Sequence, residues 1–248
     1  MRTRLVVGNW KMQSTASAAE KLARKLATFK PVSSVDVAVC PGFLHLPLVA
    51  QILAKSCVEL GGQDCATNPG LGALTGEISA HQLKDVGCRY VLIGHSERRL
   101  TIGESAGVIA KKFTAAVEAG LTPIVCVGET LEQRRQGMAV EVITGQLDAT
   151  IKKLGVEGLG GAVVAYEPVW AIGTGVTASA EQAQEMHAAI RSVIVSASVS
   201  IGDNIQILYG GSVKATNAAD LFSMPDIDGV LVGGAALDAD EFLAICAG

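Results

Sequence analysis

A closed (β/α)8 barrel, an α/β fold in which parallel strands alternate with helices, is the architecture this sequence predicts, and three observations predict it. Short β-branched runs alternate with longer stretches of helical periodicity, eight such pairs can be counted, and no linker or compositional break divides the 248 residues. Eight β-then-α units in about 250 residues is the count and length of a closed barrel. Residues 1–248 are accordingly expected to form a single domain.

The strand candidates are Leu5–Asn9, Val35–Cys40, Val58–Gln63, Tyr90–Gly94, Pro123–Val127, Ala162–Tyr166, Ile205–Tyr209 and Gly229–Val232. Each is a near-continuous apolar run, as parallel strands covered on both faces require. The helical candidates between them are Ala18–Phe29, Leu46–Lys55, Ser79–Val86, Ser105–Ala119, Thr130–Leu154, Ala180–Ser196, Thr216–Ser223 and Ala239–Cys246. Ser79 ahead of Gln82, and Thr216 ahead of Asn-Ala-Ala-Asp, supply helix-start chemistry. An open, doubly wound sheet competes with the barrel, but it would usually carry fewer strands and a glycine fingerprint after the first one. Here the first strand ends in Gly-Asn-Trp-Lys, without that fingerprint.

Hydrophobic residues make up 49% and charged residues 18% of the chain, which excludes a disordered chain and suits a large buried core. A net charge of only −4 gives no sign of a nucleic-acid or membrane partner, so an anionic small substrate must be held by local groups. The first apolar run is too short for a signal-peptide core, and no apolar span reaches the roughly 18 residues of a membrane helix; a cytoplasmic location is expected. The six cysteines (Cys40, Cys57, Cys65, Cys88, Cys126, Cys246) show no CxxC pair and no metal spacing with histidine. They are expected to be reduced, buried thiols, with no metal and no disulfide.

In a parallel barrel, reactive groups gather at the carboxyl ends of the strands. Strand one ends in Asn9-Trp10-Lys11, strand four in Gly94-His95-Ser96-Glu97, strand six in Glu167-Pro168, strand seven in Gly210-Gly211-Ser212 and strand eight in Gly233-Gly234. A lysine, a histidine and a glutamate from three strands thus share one mouth with two glycine turns, whose bare N–H groups suit a phosphate. Each residue alone has an ordinary reading as a solvated lysine, a structural histidine or a plain turn. Glu167 is the hardest to read that way, because an acid closing an apolar strand needs a partner or a purpose.

The segments VGNWKM at 7–12, IGHSERR at 93–99, CVGET at 126–130, AYEPVWAIGTG at 165–175, YGGSV at 209–213 and GVLVGGAAL at 229–237 resemble the triosephosphate isomerase family, and the match runs from strand one to strand eight. The resemblance implies interconversion of dihydroxyacetone phosphate and glyceraldehyde 3-phosphate through an enediolate, as in glycolysis and gluconeogenesis, with no cofactor. It implies Glu167 as the base and His95 as a neutral electrophile, with Lys11 lending positive charge, Asn9 donating a hydrogen bond and Glu97 orienting Lys11. It implies a lid: Pro168, Val169 and Trp170 as one hinge, Ala171, Ile172, Gly173 and Thr174 as the tip, and Gly175, Val176 and Thr177 as the other hinge. Gly173, Ser212, Gly233 and Gly234 would hold the phosphate. The long loop at 65–79 implies a homodimer in which Thr75 braces the neighbouring site. Cys126 matches a family position near the base, although packing alone accounts for it. The chain departs from the family pattern at Leu74, where an aromatic is common, which bears on the tightness of the dimer. It departs also at Gln13, where Asn is typical, and at Val176, where Lys is frequent, which bears on lid kinetics.

Two rivals stay open from the residues alone. A Schiff-base aldolase would need a desolvated lysine at a strand end, whereas strand six offers Glu167 and Lys11 is the only lysine on the rim. A non-enzymatic phosphate-binding scaffold would not need every catalytic position filled.

Overall fold

Both faces of the strands are apolar, and each face has a core of its own. In β1 (Arg4–Asn9), Leu5 and Val7 point into the barrel with Ala38, Cys40, Leu92, Ile124, Cys126, Ala165 and Leu208, while Val6 faces the surrounding helices. This period-two division is what a strand imposes on a continuous apolar run. The computed structural model describes residues 2–31, 35–172 and 178–248. Following β1 come β2 (Val35–Cys40), β3 (Val58–Gly62), β4 (Tyr90–Ile93), β5 (Thr122–Val127), β6 (Val163–Tyr166), β7 (Gln206–Tyr209) and β8 (Gly229–Val232). They pair in chain order, all parallel, and β8 closes on β1 with Leu5 opposite Gly229 and Gly8 opposite Val232. The closed eight-stranded parallel barrel expected from the sequence is therefore present.

The helices are α1 (Ala16–Leu26), α2 (Leu46–Leu53), α3 (Ala80–Asp85), α4 (Ala106–Glu118), α5 (Leu131–Arg135), α6 (Ala139–Leu154), α7 (Ala180–Ala197), α8 (Val199–Asn204), α9 (Ala215–Phe222) and α10 (Ala239–Ala247). Ser79 caps α3 in a reciprocal capping box with Gln82, and Thr130 and Ser179 do the same for α5 and α7 with Gln133 and Gln182, each satisfying otherwise bare N–H groups of the first turn.

Four details differ from expectation. The stretch Thr130–Leu154 is two helices, because Gly137 takes φ +73°, a left-handed conformation that ends α5 and that glycine adopts without steric penalty. The cap of α9 lies at Lys214, whose backbone N–H donates to Asn217 Oδ1 at 2.8 Å, two residues before Thr216. Residues Val199–Asn204 form a short helix not expected from the sequence. Cys57 is exposed; the other five cysteines are buried, and all six are unpaired. Among the described residues no helix is long and apolar enough to cross a membrane.

Candidate active site

Lys11 sits at the end of β1 in a left-handed backbone conformation, φ +51°, a region costly for a side-chain-bearing residue and therefore one the surroundings must impose. Two amides impose it. The Lys11 N–H donates to Asn9 Oδ1 at 2.9 Å, and the Lys11 carbonyl accepts from Gln63 Nε2 at 2.7 Å. Gln63 also donates to the Cys40 carbonyl at 2.9 Å, so the ends of β1, β2 and β3 are stitched together. Lys11 Nζ lies 2.6 Å from Glu97 Oε1, a half-exposed pair that aims the ammonium along the rim.

His95 and Glu167 are almost fully buried and touch one another. His95 Nε2 lies 2.9 Å from Glu167 Oε1, and the Ser96 N–H donates to Glu167 Oε2 at 2.9 Å. Ser96 and Glu97 open a short helical turn that runs into the wider turn Arg98–Ile102. The Glu97 N–H donates to His95 Nδ1 at 3.3 Å. That bond makes Nδ1 an acceptor, so the ring proton sits on Nε2 and faces Glu167. Burial pushes the imidazole pKa down, but the Glu167 charge and hydrogen bond outweigh it and the net direction is up. For Glu167 burial works upward, yet His95, the Ser96 N–H and Lys11 hold the carboxyl below its ordinary value. The two groups stabilise each other's charged forms only while they are in contact. Without the Glu167 contact, burial alone would favour the neutral ring.

A cavity of about 360 Å³ opens beside this pair, bounded by Lys11, His95 and Glu167 and floored by the turns Gly210–Ser212 and Gly233–Gly234. The Ser212 hydroxyl donates to the Ala171 carbonyl at 2.9 Å, tying the turn after β7 to the segment after β6. Pro168 is extended and Val169–Ala171 form one 3-10 turn with Ala171 buried; Gly173, Thr174, Gly175, Val176 and Thr177 lie outside the described residues. Thr75 is exposed in its long loop. A larger cavity of about 600 Å³ lies at the opposite mouth, among Arg2, Asp36, Arg89 and Gln206. Those residues sit at the amino ends of the strands, and none belongs to the acid–base cluster.

The family model for triosephosphate isomerase matches residues 4–248. The chain belongs to the triosephosphate isomerase family. It is 55% identical over 246 residues to the triosephosphate isomerase of Ectopseudomonas mendocina (strain ymp), covering 99% of this chain and 98% of that protein. It is 54% identical to that of Pseudomonas aeruginosa (strain LESB58) and 51% to that of Pseudomonas putida (strain W619), with the same coverage. With membership of the triosephosphate isomerase family goes the activity: the chain is an isomerase interconverting dihydroxyacetone phosphate and glyceraldehyde 3-phosphate, and its substrate is a small phosphorylated triose.

Two residues of this triosephosphate isomerase family member, Gln63 outside the quoted motifs and Glu129 within one, carry structure that the sequence left unassigned. Gln63 pins Lys11, as described. Glu129 is fully buried, and its Oε1 accepts from Trp170 Nε1 at 2.9 Å, from Tyr166 Oη at 3.1 Å and from Arg134 Nη1 at 3.1 Å. Its carbonyl takes the Val169 N–H at 3.2 Å, so one acid fixes the start of the segment that follows Glu167. The signal was available: Glu129, like Glu167, is a carboxylate following an apolar strand, where burial demands partners. Cys126 is buried in the barrel interior with its thiol pushed well up, chiefly by burial, as a packing residue is.

Proposed function

We propose that Glu167 is the base of the isomerisation and His95 its electrophile, with Lys11 and Asn9 stabilising the oxyanion and Glu97 orienting Lys11. The observation that carries the reading is the Glu167 carboxylate held 2.9 Å from both His95 Nε2 and the Ser96 N–H at the wall of the 360 Å³ cavity. Glu167 takes a proton from C1 of dihydroxyacetone phosphate, and the electron pair moves onto the carbonyl oxygen to give an enediolate. The His95 Nε2–H stabilises that oxygen and shuttles a proton between O2 and O1. Glu167 then returns its proton to C2, so no atom is gained or lost. A carboxylate can reach both carbons by a small swing, and a base loses solvation as the site closes. A buried, preoriented donor acts more strongly on a developing oxyanion than water does.

Ser212, Gly233 and Gly234, with Gly173, receive the phosphate through backbone N–H groups, which on the glycines no side chain screens. The segment Pro168–Thr177 serves as a lid that excludes water and so protects the enediolate from losing phosphate. Residues 1–248 act as a single catalytic domain in the cytoplasm. Incubation with dihydroxyacetone phosphate in D₂O, followed by proton NMR, tests the mechanism. Glyceraldehyde 3-phosphate partly deuterated at C2, with almost no methylglyoxal, is expected. Abundant methylglyoxal would refute the protecting lid, and absence of both exchange and product would refute the assigned roles.

The working unit is a homodimer built on the 65–79 loop, with Thr75 bracing the partner's site. Supporting this is a set of large apolar residues left in water: Met12 is 99% exposed, Leu44 94% and Leu71 82%, with Leu74, Leu100 and Ile102 at half or more. Such residues on a rim beside the catalytic lysine and histidine mark an interface. Leu74→Glu is expected to shift sedimentation toward the monomer and to lower turnover; an unchanged sedimentation coefficient counts against the loop's part in the dimer.

A further inference from the structure

Arg99 carries a charge that the chemistry above leaves without a task. Its neighbour Arg98 is ion-paired with Asp64 at 2.9 Å and Glu104 at 2.6 Å. Arg99 is largely desolvated, and among the described residues no carboxylate stands within ion-pair distance of it. Instead its Nε donates to the Gly94 carbonyl and its Nη2 to the Cys126 carbonyl, each at 2.8 Å. A part-buried guanidinium without a counter-ion is costly for a fold to keep, and two neutral carbonyls compensate only in part.

The carbonyls it grips have meaning. That of Gly94 belongs to the peptide bonded to the His95 nitrogen. That of Cys126 belongs to the peptide leading into Val127, whose own carbonyl accepts the Glu167 N–H at 2.7 Å. The two peptides lie at the ends of β4 and β5, so one planar fork spans the strand carrying His95 and the strand on which Glu167 is hung. A single ammonium cannot span two such acceptors in the same geometry.

Space supplies the second, independent observation. A chamber of about 200 Å³ is lined by Arg99, Ser96, Cys126, Gln146, Val169 and Glu167, among others. Among the described residues Glu167 alone lines both this chamber and the substrate cavity, so the base forms the partition between them. Burial lowers the Arg99 pKa and the Glu167 charge opposes that shift, consistent with a field that reaches from one group to the other.

We propose that Arg99 is a positioning residue for the isomerisation: its guanidinium bridges the ends of β4 and β5 so that His95 and Glu167 keep their mutual distance, and its charge holds Glu167 from behind. The inference rests on the roles assigned to His95 and Glu167 above. Arg99→Met keeps most of the volume and removes the charge and both donors. Small displacements of reacting groups are costly, so kcat is expected to fall about 10- to 100-fold. The KM for dihydroxyacetone phosphate should stay within about threefold, since no group that binds substrate is lost. In Arg99→Ala, where truncation opens the space, guanidinium ion added well below denaturing concentration should restore part of the lost kcat, while sodium chloride at equal ionic strength should not. Wild-type kcat in R99M, or a loss in R99A that guanidinium leaves untouched, overturns the proposal. Should R99M not fold, Arg99→Lys decides: a lowered kcat with KM retained supports bridging, and a wild-type kcat overturns it. Glu167→Gln in the same assay keeps the two readings apart. If it retains turnover the assigned roles fail, whereas if it is inactive and R99M is not, only the present inference fails.

Discussion

Glu167→Gln is expected to lower kcat by about three orders of magnitude or more while KM changes little, because a general base contributes on the order of 10²–10⁴ and the role proposed for Glu167 has it serve both proton transfers. Glutamine matches the carboxylate in size and keeps an oxygen for the Ser96 N–H at 2.9 Å; what disappears is the basic lone pair and the charge. A second readout follows from the same contact. The Glu167 charge holds the His95 pKa up against burial, so the imidazole of the variant should titrate lower than that of the free wild-type enzyme, as NMR of the ring would show. An unmoved His95 titration would mean the pair does not interact as its 2.9 Å separation implies. In the wild type the first proton the coupled pair takes up as pH falls goes to His95, whose pKa the Glu167 charge holds up, while Glu167 itself stays ionised to lower pH. The acid limb of kcat/KM belongs to that pair and should lie above the range of a free glutamate, where the neutral imidazole is lost.

Gly128→Ala is expected to be the most damaging single-methyl change tested. A Cβ on Gly128 would stand 1.8 Å from the Glu167 carbonyl oxygen and 2.8 Å from its carbon, and neither backbone atom can yield without separating β5 from β6. Overpacking of this kind costs about 3 kcal/mol or more, on the order of 10 °C in Tm for a domain of this size. The surviving folded fraction should be nearly inactive, because the displaced backbone is that of Glu167, the proposed base. Gly145 in α6 is the control: nothing lies within 4 Å of its added methyl, and Gly145→Ala should stabilise by about 0.5–1 kcal/mol through helix propensity alone. Scanning calorimetry of the two variants beside the wild type checks both signs. Equal Tm values would mean that the β5–β6 seam is looser than its distances say.

The strands were legible because each is an apolar run cut off by chemistry that does not belong in a core, and this also exposed Lys11, His95 and Glu167 at the rim. Periodicity was a poorer guide where one residue reset the backbone. Gly137 splits an otherwise continuous helical pattern, and Val199–Asn204, with its serine and glycine, carries too little pattern to announce a helix. Gln63, Glu129 and Arg99 stayed silent for another reason. Their work is done on partners far along the chain, as with Gln63 on Lys11 or Glu129 on Trp170, and no local spacing records such a pairing. Residues that react are conspicuous by type, whereas residues that hold them are conspicuous only in three dimensions.

The seam between β8 and β1 bears on how the chain is made. Every strand from β2 onward can pair with its predecessor as it leaves the ribosome, but Arg4–Asn9 has no second partner until Gly229–Val232 has been synthesised. Until then the nascent sheet carries two open edges, β1 and whichever strand came last, both able to recruit a neighbouring chain. Polysomes crowded with this message are therefore where the protein is most exposed to self-association, and the pairing of β8 with β1 is the step at which that exposure ends.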